Sequence, residues 1–233
     1  MQLDYLVKPS KSNDRSFVLS NSSKKDIRER IRKSSYVVSD LDYTLIDSPT
    51  LGLVVRRFFE GGFLDIRQDI WAVKAVFQYL LHGKNAAPPM WSEYRDKFKC
   101  EFRHYIESHK PALSFYPGVQ EFFRSLPETT EKMMVTRTFH EIAKPFADCL
   151  GFGECHSFED DKVLPFLEGI IHSSYDVLIG DSKEDENIVT ALKKRSTHPL
   201  TIYVASSPNR INENFEINIG RDYRGLNKII NSD

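Results

Sequence analysis

The sequence predicts an α/β protein: a parallel sheet with helices on both faces and a helical block inserted into its first crossover. Three observations carry this. Short apolar runs read as buried strands, helical stretches of ordinary length alternate with them, and one long interval interrupts the alternation. At 233 residues the chain is long enough to bury a core without disulfide or metal staples.

In chain order, residues 1–34 are polar and rich in Ser and Lys, and they form an N-terminal extension with one helix, Ser23 to Lys33. Ser23-x-x-Asp26 is a capping pattern. Ile27 and Ile31 lie one turn apart, and Asp26/Arg30 and Glu29/Lys33 are i,i+4 charge pairs. Acids intersperse the bases, so this reads as a solvated helix docked by two isoleucines in preference to a nucleic-acid arm. Strands come next at Tyr36–Val38, Met133–Val135, Val177–Ile179 and Leu200–Val204, with a weaker, edge-like strand around Phe215 to Ile219. Helices are expected at Val119–Leu126, Phe139–Leu150, Glu184–Lys194 and Arg224–Ile230. The interruption, 48–111, holds amphipathic stretches punctuated by Gly61-Gly62 and Pro88-Pro89. Its aromatic stripe, which includes Trp71, Trp91 and Phe98, reads as a core of its own. The core domain is therefore 35–47 with 112–233.

Composition excludes several classes. The chain is 40% hydrophobic, 28% charged and 12% aromatic, which is neither disordered, collagen-like nor coiled coil. Lys+Arg 32 against Asp+Glu 33 leaves a charge of −1, so no single-sign field favours nucleic acid or an acidic membrane. Three scattered cysteines suit a reducing compartment, and no secretory signal is visible at Met1 to Asn21. A cytoplasmic protein is expected. Its 7 histidines show no zinc spacing, and Walker A and Gly-x-Gly-x-x-Gly loops are absent.

The carboxyl ends of the strands are informative. The first strand ends in Asp40-Leu41-Asp42-Tyr43-Thr44, the second in Thr136-Arg137-Thr138, and the third in Gly180-Asp181-Ser182-Lys183-Glu184-Asp185. Ligands of open parallel sheets bind outside the carboxyl ends of the strands, so these groups converge. Clustered carboxylates repel one another, and a hard cation such as Mg²⁺ resolves the conflict while taking phosphate oxygens as further ligands. One carboxylate can attack phosphorus, a second can act as general acid and base, and a hydroxyl with a lysine can hold the phosphoryl oxygens.

Asp40-Leu41-Asp42-Tyr43-Thr44, Thr136, Lys162 and Gly180-Asp181-Ser182-x-x-Asp185 resemble the four ordered motifs of the haloacid dehalogenase-like (HAD) hydrolase superfamily. Phe115-Tyr116-Pro117-Gly118-Val119 is similar to a segment of its phosphoglycolate-phosphatase-like, capped members. The likeness covers about Tyr36 to Ile230. It implies a Rossmann-like core and makes 48–111 the inserted helical cap.

The resemblance further implies that Asp40 is the nucleophile and Asp42 the general acid and base. Thr44 would fix the first loop beside the phosphate, Thr136 would bind the phosphoryl group, and Lys162 would neutralise nucleophile and phosphate. Mg²⁺ would be held by Asp40, the main-chain carbonyl of Asp42, Asp181 and Asp185. Asp42 argues against dehalogenation, whose enzymes lack the second aspartate.

Several positions stay open. Lys144 competes with Lys162, and Glu184 competes with Asp185. Arg137 faces either an anionic substrate or a surface acid. Tyr43 stands where glycine is commonest. Arg56, Arg57 and Lys84 are candidates for a second anionic group. The expected activity is Mg²⁺-dependent hydrolysis of a small phosphorylated metabolite through an aspartyl-phosphate. The alternatives are a phosphomutase acting on a sugar phosphate and a HAD-like binding scaffold without turnover.

Overall fold

The described residues of the computed structural model are 4–8, 16–47, 115–138, 140–157, 160–195 and 197–232; at 141–142 and 160–162 they extend to the backbone alone. Eight strands form one sheet. They are β1 (Asp4–Val7), β2 (Val18–Ser20), β3 (Tyr36–Ser39), β4 (Glu131–Thr136), β5 (Glu154–Ser157), β6 (Val177–Gly180), β7 (Leu200–Ala205) and β8 (Ile217–Gly220). The described helices are α1 (Lys24–Arg32), α2 (Val119–Ser125), α3 (His140–Cys149), α4 (Asp160–Ile170), α5 (Lys183–Lys194) and α6 (Arg224–Asn231).

The strand order is β1-β2-β8-β7-β6-β3-β4-β5. From β8 to β5 all neighbours are parallel, while β1 and β2 run antiparallel at the β8 side. The chain steps outward from β3 through β4 to β5, then returns to β6 on the other side of β3. The topological switch point therefore lies between β3 and β6, where a crevice for ligands is expected.

Both faces of the sheet are covered. Side chains alternate along a strand, yet neighbours Val37 and Val38 are both buried, as are Met133 and Met134. On one face Val38, Met133, Val135 and Leu178 pack with Leu167 and Ile171 from α4 and its end, and with Val189 and Leu192 of α5. Elsewhere Phe122 and Phe123 of α2 meet Tyr223 and Phe152 in tilted ring contacts. Truncating such a fully buried ring costs about 3–5 kcal/mol.

The N-terminal segment does more than carry one helix. Ser23 caps α1 by accepting from the Asp26 amide, and Ile27 and Ile31 are buried as expected. Arg30 Nη1 donates to both carboxylate oxygens of Glu216 at 2.6 and 2.8 Å, which ties this base of α1 into the protein. Strands β1 and β2 were not anticipated. Strand β2 pairs with β8, which makes β8 an interior strand and corrects the expectation of an edge. The polar residue in β8, Asn218, is fully buried, and its amide bonds both the backbone N–H and C=O of Asn212.

Met1–Asp47 and Ser114–Asp233 make up one compact unit. The expected cap, 48–111, with Arg56, Arg57, Lys84 and the aromatic stripe, lies outside the described residues. Among the described residues no helix is long and apolar enough to cross a membrane.

Candidate active site

Asp40 and Asp181 leave β3 and β6 on either side of the switch point. The Asp40 amide donates to the Ile179 carbonyl at 3.1 Å, extending the β3–β6 pairing to the first acid. Beyond it the chain turns tightly. Leu45 N–H donates to Leu41 O at 3.0 Å, and Asp42 and Ile46 form a bridge. Leu41 and Leu45 are fully buried and anchor the turn from below, which leaves Asp42 between them at the rim.

Tyr43 sits at the apex with φ +57°, in the left-handed region. A residue with a Cβ loses about 1–2 kcal/mol there, which gives glycine its advantage at this position. Arg221 lies 5.2 Å from the Tyr43 ring centroid, and a cation–π contact of about 0.5–2 kcal/mol offsets part of that cost. Thr44 is buried and donates its hydroxyl proton to Asp181 Oδ1 at 3.2 Å, while its carbonyl accepts from the Tyr223 hydroxyl at 3.0 Å. Its hydroxyl thus orients a carboxylate of the cluster.

Asp185 is held by the turn into α5. Its Oδ2 accepts from the amides of Asp181 (3.1 Å) and Ser182 (2.9 Å) and from the Ser182 hydroxyl (2.6 Å). Ser182 returns the favour by capping α5 in a reciprocal capping box. Gly180 makes this fit possible: a Cβ there would stand 2.4 Å from Asp185 Cγ.

One carboxylate oxygen from each of Asp40, Asp181 and Asp185 lies within 4.8 Å of the others. As bare anions they are unfavourable together. Burial, then the charges of Asp185 and Asp42, push the Asp40 carboxyl well above its ordinary range. Burial and Asp185 push Asp181 up to about 7, against relief from the Thr44 hydrogen bond and the Arg221 charge. Asp185 is also raised by burial, with its hydrogen bonds from Ser182 opposing. Three hard oxygen donors, closely spaced and each with its pKa raised by burial, fit a divalent cation such as Mg²⁺.

Asp42 lies at the rim, where its Oδ2 accepts from the Thr138 hydroxyl at 3.0 Å. Thr136 ends β4, buried, and its hydroxyl accepts from the Thr138 amide at 3.2 Å. Arg137 pairs with Glu184 at 3.7 Å, which engages both of those open candidates with each other. Lys162 lies in the first turn of α4, and its side chain falls outside the described residues. Lys144 pairs with Asp148 one turn along the exposed face of α3.

Three residues of the site were not expected from the sequence. Thr138 steadies Asp42, Tyr223 steadies the turn, and Arg221 lies beside Tyr43. The Thr136-Arg137-Thr138 run held a signal for the first, since a second strand-end hydroxyl is a natural partner for a nearby acid. Arg221 and Tyr223 come after a strand expected to be an edge, so nothing local pointed to them.

No protein-family model matches the chain, and no curated protein matches it. Solved structures do. A phospho-aspartyl intermediate analogue of phosphoserine phosphatase is 15% identical, with 85% of this chain and 99% of that one covered at a TM-score of 0.52. The HAD-hydrolase YfnB from Bacillus subtilis, bound to magnesium, is 14% identical over 86% of this chain and 100% of that one, at 0.50. DsGPDH of Dunaliella salina is 13% identical at a TM-score of 0.61; it matches 96% of this chain, which spans 38% of that longer chain. At these identities the likeness establishes the fold. The architecture is similar to that of these solved hydrolases.

Proposed function

We propose, from a HAD-type fold carrying three aspartates at its switch point, that the chain is a Mg²⁺-dependent phosphatase. It hydrolyses a small phosphomonoester through an aspartyl-phosphate on Asp40. The observation that carries this reading is the convergence of Asp40, Asp181 and Asp185 within 4.8 Å, with Asp42 two residues from Asp40 and fixed by Thr138. The structural likeness to a phospho-aspartyl intermediate analogue supports it.

The cation would be held by Asp40, the Asp42 carbonyl, Asp181 and Asp185, and would supply charge neutralisation and phosphoryl polarisation. The chain's own residues do the rest. An Asp40 oxygen attacks phosphorus, forming the acyl-phosphate bond as the bond to the leaving oxygen breaks. Asp42 gives that oxygen its proton. Water then attacks phosphorus, Asp42 takes the proton from water, and phosphate leaves Asp40. Thr136 and Lys162 hold the phosphoryl oxygens through both steps. Thr138 keeps the Asp42 carboxyl aimed during the exchange.

The partner proposed is a small phosphorylated metabolite. The compartment proposed is the cytoplasm, in keeping with the free thiols of Cys149 and Cys155. Purified protein should release inorganic phosphate from a generic aryl phosphate, lose that activity in EDTA and regain it with Mg²⁺. Absence of turnover across a broad phosphoester panel overturns the reading. Isomerised sugar phosphate without released phosphate would replace it with a mutase.

A further inference from the structure

Arg221 comes directly after β8, three strands from Asp40 across the sheet, yet it reaches the turn that carries Asp40 and Asp42. Its guanidinium lies 5.2 Å from the Tyr43 ring centroid and 5.6 Å from that of Tyr116. Its Nη1 donates to Asp47 Oδ1 at 2.9 Å, and the Tyr116 hydroxyl donates to the same oxygen at 3.2 Å. The backbone repeats the connection: Tyr116 N–H donates to Leu45 O at 2.9 Å, and Ile46 bridges Phe115. One cation thus joins the apex of the turn, its end at Asp47, and Tyr116, which follows the bridge residue Phe115.

We infer that Arg221 is a positioning residue that holds the Asp40–Asp47 turn in its active geometry through Tyr43, Asp47 and Tyr116. The need for such a hold is visible in the turn itself. Tyr43 occupies a left-handed backbone conformation that residues with a Cβ resist, and a contact at its apex offsets part of that cost. A planar guanidinium suits the task because it can face two rings and donate sideways to a carboxylate at once. An ammonium can satisfy the carboxylate or one ring at a time. Arg221 grips the turn at Tyr43 and Asp47, so its influence on Asp40 and Asp42 runs through the turn.

The effect on turnover rests on the phosphatase reading; the effect on the turn does not. Hydrogen exchange of the amides in 41–47 is therefore measured beside steady-state hydrolysis of an aryl phosphate with Mg²⁺. In Arg221→Ala we expect those amides to exchange about tenfold faster, with β7 unchanged, and kcat to fall about tenfold while KM stays within twofold. Arg221→Lys should recover part of both losses. Wild-type exchange at 41–47 in Arg221→Ala, or loosening spread evenly over the sheet, overturns the inference. Should Arg221→Ala fail to fold, Arg221→Lys carries the test: selective acceleration at 41–47 supports the role and wild-type exchange contradicts it. If wild type has no turnover, the phosphatase reading fails while the exchange result still decides the role of Arg221.

Discussion

Asp181 is the residue whose environment gives the sharpest expectation for pH. Burial and Asp185 raise its carboxyl from 3.8 to about 7, so between those values the folded protein keeps a proton that the unfolded chain has released. Stability in the absence of metal must then fall as pH rises through that window. A divalent cation displaces the same proton. Thermal melts with and without Mg²⁺ should show a small shift near about pH 5 and a larger one near about pH 8. A Mg²⁺ shift independent of pH would contradict this. The same repulsion makes a prediction for Asp40→Asn: turnover should drop by about 10³-fold or more, while the melting temperature in EDTA rises. The acids were legible because Asp40 and Asp181 stand just past the apolar runs Tyr36–Val38 and Val177–Ile179, with Asp42 and Asp185 a few positions further on. The strain at Tyr43 and its relief by Arg221 were not, since that contact joins residues 178 positions apart.

At the scale of elements, the turn from β6 into α5 is the tightest construction. Gly180→Ala would drive a Cβ into Asp185, so we expect a loss of about 1–3 kcal/mol in stability together with loss of Mg²⁺-dependent turnover. Ser182→Ala removes the cap and one of three donors to Asp185, for about 1 kcal/mol and a weaker Mg²⁺ response in the melt. Unaltered melts in both variants would contradict that construction. Strand legibility tracked burial. The strands β3, β4, β6 and β7 are buried on both faces and read as apolar runs, whereas β5 is Glu-Cys-His-Ser at the sheet edge and shows no run at all. Strand β2 is only three residues long, and its partner lies almost two hundred residues away, so local pattern had nothing to register.

For the whole molecule, the sheet needs its N-terminal strands. Phe17, Val18 and Leu19 are buried, and β2 covers the β8 edge. Removing residues 1–22 should expose that edge and lower the melting temperature, with aggregation visible by light scattering; an unchanged, monodisperse protein would contradict this. The net charge of −1 conveys none of the site, because the functional acids gather at one crevice while that number averages over the whole chain. The central claim is a covalent phosphoryl group on Asp40. It is tested most directly by quenching turnover with borohydride, which reduces an aspartyl-phosphate to homoserine, and by mapping the product by peptide mass spectrometry. Homoserine at position 40, dependent on substrate and Mg²⁺, is the predicted result. Turnover with no modification there, or with modification at Asp42 instead, would contradict the account.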